Sequence, residues 1–302
     1  MPASRPVAAV GNTPRMSENF DVRGKTAIVT GGARGIGLGC SQALAKRGAR
    51  VVVVDLDQEA CNAAAAEISP ESFGLAADVT DLGAMQKVVA EVANQCGGVD
   101  IVIANAGIAQ TGVTVRAMSN EMAERVLAVN LNGVYNTAIA ALPQIAERRG
   151  HIVVTASVYA FVNGAGQAPY AMAKAGVEQL GRALRVELAP HGAGASVAYF
   201  GFIDTVMVQR MLDGDRSADQ VRELVPKFLL KRLTPAQAGE TVARGIEKRA
   251  PRIITPRRWV AYSTLRGMIN PLIDSWMVKD AAAQSMIREL DSRADAEQTT
   301  SA

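Results

Sequence analysis

The stretch TGGARGIG, residues 30–37, follows the apolar run KTAIVT (25–30) and precedes an alanine-rich segment of helical length. Glycines at positions 31, 35 and 37 permit a tight turn and let the backbone approach a ligand closely. A helix that begins directly after such a turn offers free N–H groups and a positive dipole end to a phosphate. A glycine turn by itself also serves as a plain connection, but its position after a first strand favours a site for the pyrophosphate of a nucleotide.

Strand and helix patterns alternate along the rest of the chain. Most of the β-branched runs are apolar throughout, which is typical of parallel strands buried on both faces. These runs are 25–30, 50–55, 73–78, 99–105, 151–157, 195–200 and 252–255, and helical segments lie at 35–47, 57–68, 81–96, 119–147, 170–188 and 235–249. The alternation predicts an α/β fold with a single doubly wound, mostly parallel sheet of seven strands and helices on both faces. In such sheets, ligands bind beyond the carboxyl ends of the strands.

Composition restricts the function classes. A chain of 302 residues that is 49% hydrophobic fits one large domain, and its net charge of +3 with 4% aromatic residues does not support nucleic-acid binding. The apolar runs are too short for a signal peptide or a membrane span, so we expect a cytoplasmic protein. The cysteines Cys40, Cys61 and Cys96 are widely spaced and have only two histidines beside them, so we expect no metal site.

Asp55 ends the second predicted strand, 24 residues after Gly31. A carboxylate at this place accepts hydrogen bonds from both hydroxyls of an adenosine ribose, which supports a dinucleotide. At a separation of about 4 Å and an effective dielectric near ~20, it would repel a 2′-phosphate by about 4 kcal/mol. We therefore expect NAD as the cofactor. NADP is the alternative, because Arg34 in the glycine turn could hold the phosphate.

Tyr170 and Lys174, in the stretch APYAMAKAG (168–176), are four positions apart and share one face of a helix. A nearby ammonium, with help from an oxidised nicotinamide, lowers the pKa of a phenol, so we expect Tyr170 to act as a base in alcohol oxidation and as an acid in ketone reduction. Ser157, at the end of another strand, is placed to hydrogen-bond the substrate oxygen. Singly, each residue also fits a surface pair or a strand-end cap.

In their order along the chain, the glycine turn, Asp55, NAG (105–107), Asn130, Ser157 and the Tyr170/Lys174 pair resemble the short-chain dehydrogenase/reductase family, from about residue 22 to 250. The resemblance implies a Rossmann fold that carries a nicotinamide cofactor and oxidises alcohols or reduces ketones. It implies a catalytic set of Asn130, Ser157, Tyr170 and Lys174, in which Asn130 bends its helix around a water that links Lys174 to solvent. The predicted cofactor-binding residues are Gly31, Arg34, Gly35, Ile36, Gly37, Asp55, Asp78, Val79, Asn105, Ala106, Gly107, Tyr170, Lys174, Gly201, Ile203 and Thr205. A catalytically idle nucleotide-binding protein on the same fold is the rival interpretation.

Two features depart from that family. Phe200 stands where proline is usual, and an unfamiliar tail replaces the usual end. We expect a disordered arm at 1–19, the Rossmann domain at 20–256, and an amphipathic helical extension at 257–302 that Pro271 divides and that ends in a flexible tail from Asp291. The extension is expected to pack on the protein or on a dimer partner, and a helix on a membrane surface is the alternative.

The predicted substrate is an apolar secondary alcohol or ketone, and the predicted assembly is a homodimer or homotetramer. Apolar side chains that follow two of the strands are the candidate pocket walls: Val158, Tyr159, Phe161, Phe202, Val206, Met207, Met211 and Leu212.

Overall fold

The protein is described by a computed structural model that covers residues 19–110, 112–213 and 226–300. Of the predicted N-terminal arm, all but Asn19 lies outside these ranges. One sheet of seven strands runs through the molecule, with the strand order β3-β2-β1-β4-β5-β6-β7. Its strands are β1 (Thr26–Thr30), β2 (Arg50–Asp55), β3 (Phe73–Ala76), β4 (Ile101–Ala104), β5 (His151–Ser157), β6 (Gly194–Phe200) and β7 (Arg252–Thr255).

All six strand pairs are parallel, so the predicted doubly wound sheet is confirmed. The order of the strands reverses between β1 and β4, which places the expected ligand crevice at the carboxyl ends of these two strands. The helices are α1 (Gly35–Ala45), α2 (Gln58–Ile68), α3 (Leu82–Cys96), α4 (Asn120–Leu127), α5 (Gly133–Glu147), α6 (Ala168–Leu188), α7 (Val206–Asp213), α8 (Lys227–Leu230), α9 (Pro235–Glu247), α10 (Trp259–Lys279) and α11 (Ala281–Thr300).

Two apolar cores cover the two faces of the sheet. Helices α1, α2 and α9 bury one face, and α3, α5 and α6 bury the other. The backbones of helices α1 and α9 are in direct contact where the helices cross. A Cβ added at Gly39 would lie only 2.2 Å from the carbonyl oxygen of Pro235. The buried β-branched residues of the strands supply most of both cores, as expected for strands covered on both sides.

The extension forms one long helix and then a second. Pro271 lies inside α10 and does not divide it, so the predicted break is wrong, and the chain turns at Asp280 instead. Polar contacts hold α10 on both sides of Pro271. On one side, Arg266 forms two hydrogen bonds with Glu178 of α6, at 2.8 and 2.6 Å. On the other side, the amide of Asn163 donates to Asp274 at 2.8 Å.

Helix α11 reaches back to the loops beside the carboxyl ends of the strands. Leu290 packs so closely on Gly166 that an added Cβ there would lie 2.7 Å from its Cδ1. Asp291, which begins the predicted flexible tail, lies within α11, accepts a hydrogen bond from Thr114 and pairs with Arg116 at 3.1 Å. Across the described residues, no helix combines the length and the apolarity that crossing a membrane requires.

We predict that Arg266→Ala lowers the free energy of unfolding by about 3 kcal/mol, because it leaves the carboxylate of Glu178 buried without its cation. The side chain of Glu178 is only 8% exposed. Urea denaturation followed by circular dichroism measures the change.

Arg116→Ala is the matched control. It removes an arginine that is 75% exposed in its ion pair with Asp291, so we expect a loss of less than about 1 kcal/mol. Equal losses in the two variants would contradict the assignment of a buried ion pair to Glu178 and Arg266.

Candidate active site

The glycine turn after β1 allows three backbone segments to meet. Gly31 has a φ of +62°, and a Cβ added to it would lie 2.8 Å from the Cα of Ala106, which follows β4. A Cβ added to Gly37 would lie 2.1 Å from the carbonyl oxygen of Gly31. Neither position has room for a larger residue. The turn is therefore pressed directly against the segment that follows the neighbouring strand.

Helix α1 begins at this turn without a side-chain cap. Its N-cap residue, Arg34, makes no capping hydrogen bond with its side chain in the described structure, and that side chain is exposed. In contrast, Asp57 caps α2 and Asp81 caps α3 through their carboxylates. An uncapped helix start leaves backbone N–H groups and the positive dipole end available to an anion. The predicted residues Gly35, Ile36 and Gly37 form this first turn.

Asp55 and Asn105 lie on the two sides of the turn. The carboxylate of Asp55 accepts hydrogen bonds from the N–H groups of Ala33, at 3.3 Å, and Leu56, at 2.9 Å. The amide of Asn105 donates to the carbonyl oxygens of Thr30, at 3.1 Å, and Gly31, at 3.3 Å. Both side chains thus fix the turn through its backbone, and the half-buried Asp55 stays accessible at the end of β2.

The hydroxyl of Thr30 is a site residue that the sequence analysis did not select. Its Oγ1 accepts hydrogen bonds from the N–H groups of Asn105, at 3.0 Å, and Ala106, at 3.2 Å. The sequence contains a signal for this residue, since Thr30 is both the last residue of the first strand and the first residue of the glycine stretch. This residue joins the carboxyl ends of β1 and β4.

Asp78 and Val79 follow β3 as predicted, but they differ in exposure. Asp78 is exposed and accepts a hydrogen bond from the N–H group of Thr80 at 2.8 Å. Val79 is buried against Gly133, and its carbonyl oxygen accepts a hydrogen bond from Asn136 at 3.0 Å. The segment is therefore fixed beside α5, with Asp78 at its open edge.

The residues after β6 divide between the cleft and the core. Thr205 faces the glycine turn, since its Cγ2 would lie 3.4 Å from a Cβ added at Gly35. Gly201 is held close to the indole of Trp259. Ile203 is 1% exposed and forms a parallel bridge with Leu233. Its side chain therefore belongs to the core and does not line the crevice.

Asn130 interrupts the helix that the sequence analysis placed at 119–147. A π-helical segment, Ala128–Asn132, separates α4 from α5. The fully buried amide of Asn130 donates to the carbonyl oxygens of Val126, at 3.0 Å, and Ile108, at 2.8 Å, and its oxygen accepts the N–H of Ile108 at 3.1 Å. Single π turns are frequent at functional sites. Here the side chain ties the interrupted helix to the segment after β4.

Tyr170, Lys174 and Ser157 come together beside that segment. The ammonium of Lys174 lies 5.5 Å from the centre of the Tyr170 ring and donates to the carbonyl oxygen of Thr155 at 2.9 Å. A Cβ added at Gly107 would lie 3.7 Å from this ammonium and 2.6 Å from the Oδ1 of Asn130. The hydroxyl of Ser157 donates to the carbonyl oxygen of Phe200 at 3.3 Å and lies near enough to the Tyr170 phenol to oppose the rise of its pKa. It also accepts the N–H of Tyr159 at 3.3 Å, so it serves as a strand-end cap as well.

Comparisons with known proteins agree with this geometry. A family model described as short chain dehydrogenase matches residues 25–216. The 3-oxoacyl-acyl-carrier-protein reductase of Escherichia coli is 33% identical over 200 residues, which are 66% of this chain and 81% of that protein. The oxidoreductase UcpA of Salmonella typhimurium is 31% identical over 229 residues, 73% of this chain and 86% of that protein. The crystal structure of a short-chain type dehydrogenase/reductase from Mycobacterium marinum superposes with a TM-score of 0.69 at 28% identity, covering 78% of this chain and 96% of that one.

The chain belongs to the short-chain dehydrogenase/reductase family. It is accordingly a nucleotide-binding oxidoreductase with a Rossmann fold, and the family binds NAD or NADP. The uncapped start of α1, the two close approaches at Gly31 and Gly37, and the accessible Asp55 fit such a dinucleotide.

The protonation equilibria of this short-chain dehydrogenase differ from the sequence prediction. Burial raises the pKa of the Tyr170 phenol above its usual value of 10, and the neighbouring Ser157 only partly opposes this. Burial also lowers the pKa of the Lys174 ammonium to about 8. Desolvation is the largest cause of the Tyr170 shift and acts against the predicted lowering of its pKa, which the sequence analysis ascribed to the ammonium together with an oxidised nicotinamide.

The substrate side of the site also corrects one expectation. Val158, Phe161 and Phe202 are 4%, 4% and 7% exposed, so most of their surface belongs to the core, and Phe161 lines a groove between α6 and α10. Tyr159 is half-buried and meets the Tyr170 ring edge to face at 5.7 Å, while Val206 is exposed. The side chains of Met211 and Leu212 lie outside the described residues.

Gln110 is a further polar residue on this side that the sequence analysis missed. It follows the NAG stretch by three positions and is 7% exposed, and neither polar atom of its amide has a hydrogen-bond partner among the described residues. The backbone carbonyl oxygen of Gln110 accepts a hydrogen bond from the side-chain amide of Gln167, the N-cap residue of α6, at 3.4 Å. A polar residue just beyond a strand end was the available signal.

We predict that Lys174→Met increases the free energy of unfolding at pH 7, because burying the ammonium costs about 3 kcal/mol at 1.36 kcal/mol for each pH unit between its folded and unfolded pKa values. The loss of the hydrogen bond to Thr155 makes the net gain smaller. Since the folded pKa of about 8 lies below the usual 10.5, the unfolded chain binds the additional proton. The stability of the wild type relative to the variant should therefore rise between about pH 8 and 10.5.

Urea denaturation of both proteins at pH 7, 8, 9 and 10 checks this. The difference between their free energies of unfolding removes the contribution of the other groups that titrate. A difference that stays constant across this range would contradict a depressed pKa at Lys174. Lys87→Met, at an ordinary lysine of α3, is the control for removing a lysine.

Proposed function

We propose that this enzyme transfers a hydride between NAD and an apolar secondary alcohol or its ketone, with Tyr170 as the general acid and base. The observation that supports this best is the convergence of Tyr170 with Ser157 and Lys174, beside the uncapped start of α1. The nicotinamide cofactor, when bound, supplies the hydride acceptor for oxidation or the donor for reduction. Gly31, Gly35, Ile36 and Gly37 would hold its pyrophosphate, and Asp55 its adenosine ribose.

The residues of the chain then have separate duties. Ser157 holds the substrate oxygen by a hydrogen bond, and Tyr170 removes a proton from that oxygen in oxidation or returns it in reduction. The ammonium of Lys174 stabilises the phenolate that oxidation requires, and its hydrogen bond to Thr155 fixes its position. Asn130 positions this group, because it orders the segment at Gly107 that contacts Lys174.

The raised pKa of Tyr170 has a consequence for the direction of the reaction. A phenol that stays protonated near neutral pH is ready to donate a proton, which suits ketone reduction. NADP-dependent reduction of a carbonyl compound is the second candidate. The similarity to a reductase named for 3-oxoacyl substrates favours including 3-oxoacyl thioesters among the ketones tested. A catalytically idle nucleotide-binding protein would bind the cofactor and would convert none of the alcohols and ketones tested.

We predict that Tyr170→Phe lowers kcat by about 10²- to 10⁴-fold in both directions, while the Kd for NADH changes little, because the variant loses only the proton-transfer group. Absorbance of the reduced cofactor measures turnover, and fluorescence titration measures binding. Tyr135→Phe is the matched control, at a tyrosine of α5 that is 49% exposed. Equal turnover of wild type and Tyr170→Phe would show that another group transfers the proton.

We predict that NADH binds more tightly than NADPH, and that Asp55→Asn reduces this preference by at least about tenfold. The amide keeps one of the two oxygens that accept the N–H groups of Ala33 and Leu56, so one of these hydrogen bonds is lost. It also removes the charge that repels a 2′-phosphate. Arg34→Gln is measured in the same titrations, and it should weaken the binding of NADPH and leave the binding of NADH unchanged. Tighter binding of NADPH by the wild type would overturn the assignment of NAD.

A further inference from the structure

Helix α10 has an apolar face that the rest of the described chain leaves exposed. Leu265, Met268, Leu272 and Trp276 are 49%, 74%, 72% and 45% exposed. Spacings of three, four and four residues place them on one side of the helix, along about 16 Å of its axis. We call these four residues the α10 stripe. The opposite side of α10 is occupied, since Arg266 binds Glu178 and Asn270 donates to the carbonyl oxygen of Phe161 at 2.9 Å.

Cations lie beyond both ends of the α10 stripe, and the half-buried Asp280 follows the one at its C-terminal end. The one acidic residue of α10, Asp274, accepts a hydrogen bond from Asn163 on the packed side. Exposed cations flank the stripe at both ends, Arg257 before the first turn of the helix and Lys279 in its last turn. The α10 stripe is thus an apolar ridge with a cation beyond each end.

A basic groove adjoins the first turn of α10. It has a volume of about 500 Å³ and an apolar floor, and it contains no carboxylate among its described lining residues. Four cations surround that floor: Arg244, Lys248, Arg252 and Arg257. Arg244 also approaches a carboxylate, that of Glu240, at 3.8 Å. This groove extends the positive charge of the surface around Val260, which is 41% exposed.

Two occupants could cover an exposed apolar helix face, a second copy of the chain or a lipid bilayer. Pairing two α10 helices about a two-fold axis would bring uncharged stripe residues together and would supply no counter-charge to the cations of the basic groove. Anionic lipid headgroups neutralise these cations and accept the apolar side chains between them. Tryptophan and arginine beside an apolar stripe are typical of helices that lie in the membrane interface.

We propose that the α10 stripe and the basic groove form a docking surface for a bilayer that contains anionic lipids. The helix lies parallel to the bilayer plane, with Met268 and Leu272 directed into the acyl boundary. The groove cations contact the headgroups. This surface is independent of the proposed reaction and is tested without measuring turnover.

The full-length chain is mixed with vesicles of phosphatidylcholine alone and of phosphatidylcholine with phosphatidylglycerol, and its partition is measured by co-sedimentation. We expect binding only to the mixed vesicles and a strong loss at high salt. Tryptophan fluorescence gives a local readout, because the chain has only two tryptophans and Trp259 is buried, at 4% exposed. A blue shift on binding therefore reports Trp276, and it should disappear in Trp276→Phe.

Two variants test the two components of the surface. The double variant Met268→Ser/Leu272→Ser should weaken vesicle binding at least tenfold, and Arg257→Gln/Lys279→Gln should weaken it by roughly fivefold for each charge removed. Val186→Ser is the matched control, since Val186 on α6 is 74% exposed and lies outside the stripe. Unchanged circular dichroism shows that all three variants fold.

Binding that does not depend on phosphatidylglycerol, or a Trp276 emission that vesicles do not shift, would overturn the proposal. Light scattering identifies the rival occupant. A wild-type oligomer that Met268→Ser/Leu272→Ser converts to a smaller species, with no vesicle binding, would assign the α10 stripe to contact between copies of the chain.

Discussion

The contact between the glycine turn and the segment after β4 is the constraint on which the site depends. Gly31 approaches Ala106, and Gly37 approaches the carbonyl of Gly31, at distances that exclude any side chain. Thr30 and Asn105 hold this contact with four hydrogen bonds between the ends of β1 and β4. Since the strand order reverses at this place, the same contact fixes the floor of the crevice and aims the start of α1 into it.

Helix α6 carries two buried charges, and the fold treats them differently. The ammonium of Lys174 donates to a neutral carbonyl, that of Thr155, and lies beside the Tyr170 ring, and its pKa falls to about 8. The carboxylate of Glu178, four positions later, is held by Arg266 of α10. An unpaired buried charge reduces stability, whereas a paired one is tolerated. The protein thus stabilises the helix through Glu178 and accepts the cost at Lys174, where a free ammonium beside a phenol is useful for proton transfer.

Local patterns predicted the sheet well, because each strand is an apolar β-branched run that ends at a turn residue. They also predicted the residues of the glycine turn and the Tyr170/Lys174 pair, whose spacing is local. Features that depend on distant partners were predicted less well. The family resemblance led us to expect a bend at Asn130, but not its bonds to Ile108, and α10 continues through Pro271 against the expected break. The direction of the Tyr170 pKa shift depends on burial, which spacing does not reveal.

The two departures from the family pattern meet at the end of β6. A proline at position 200 would fix φ, but Phe200 leaves it free. The backbone there is instead held from both sides, since the carbonyl of Phe200 accepts a hydrogen bond from Ser157 at 3.3 Å and the N–H of Gly201 donates to Thr255 at 2.9 Å. Trp259, at the start of the extension, closes the space over Gly201. The extension therefore packs against the same strand end whose carbonyl accepts the hydrogen bond of Ser157.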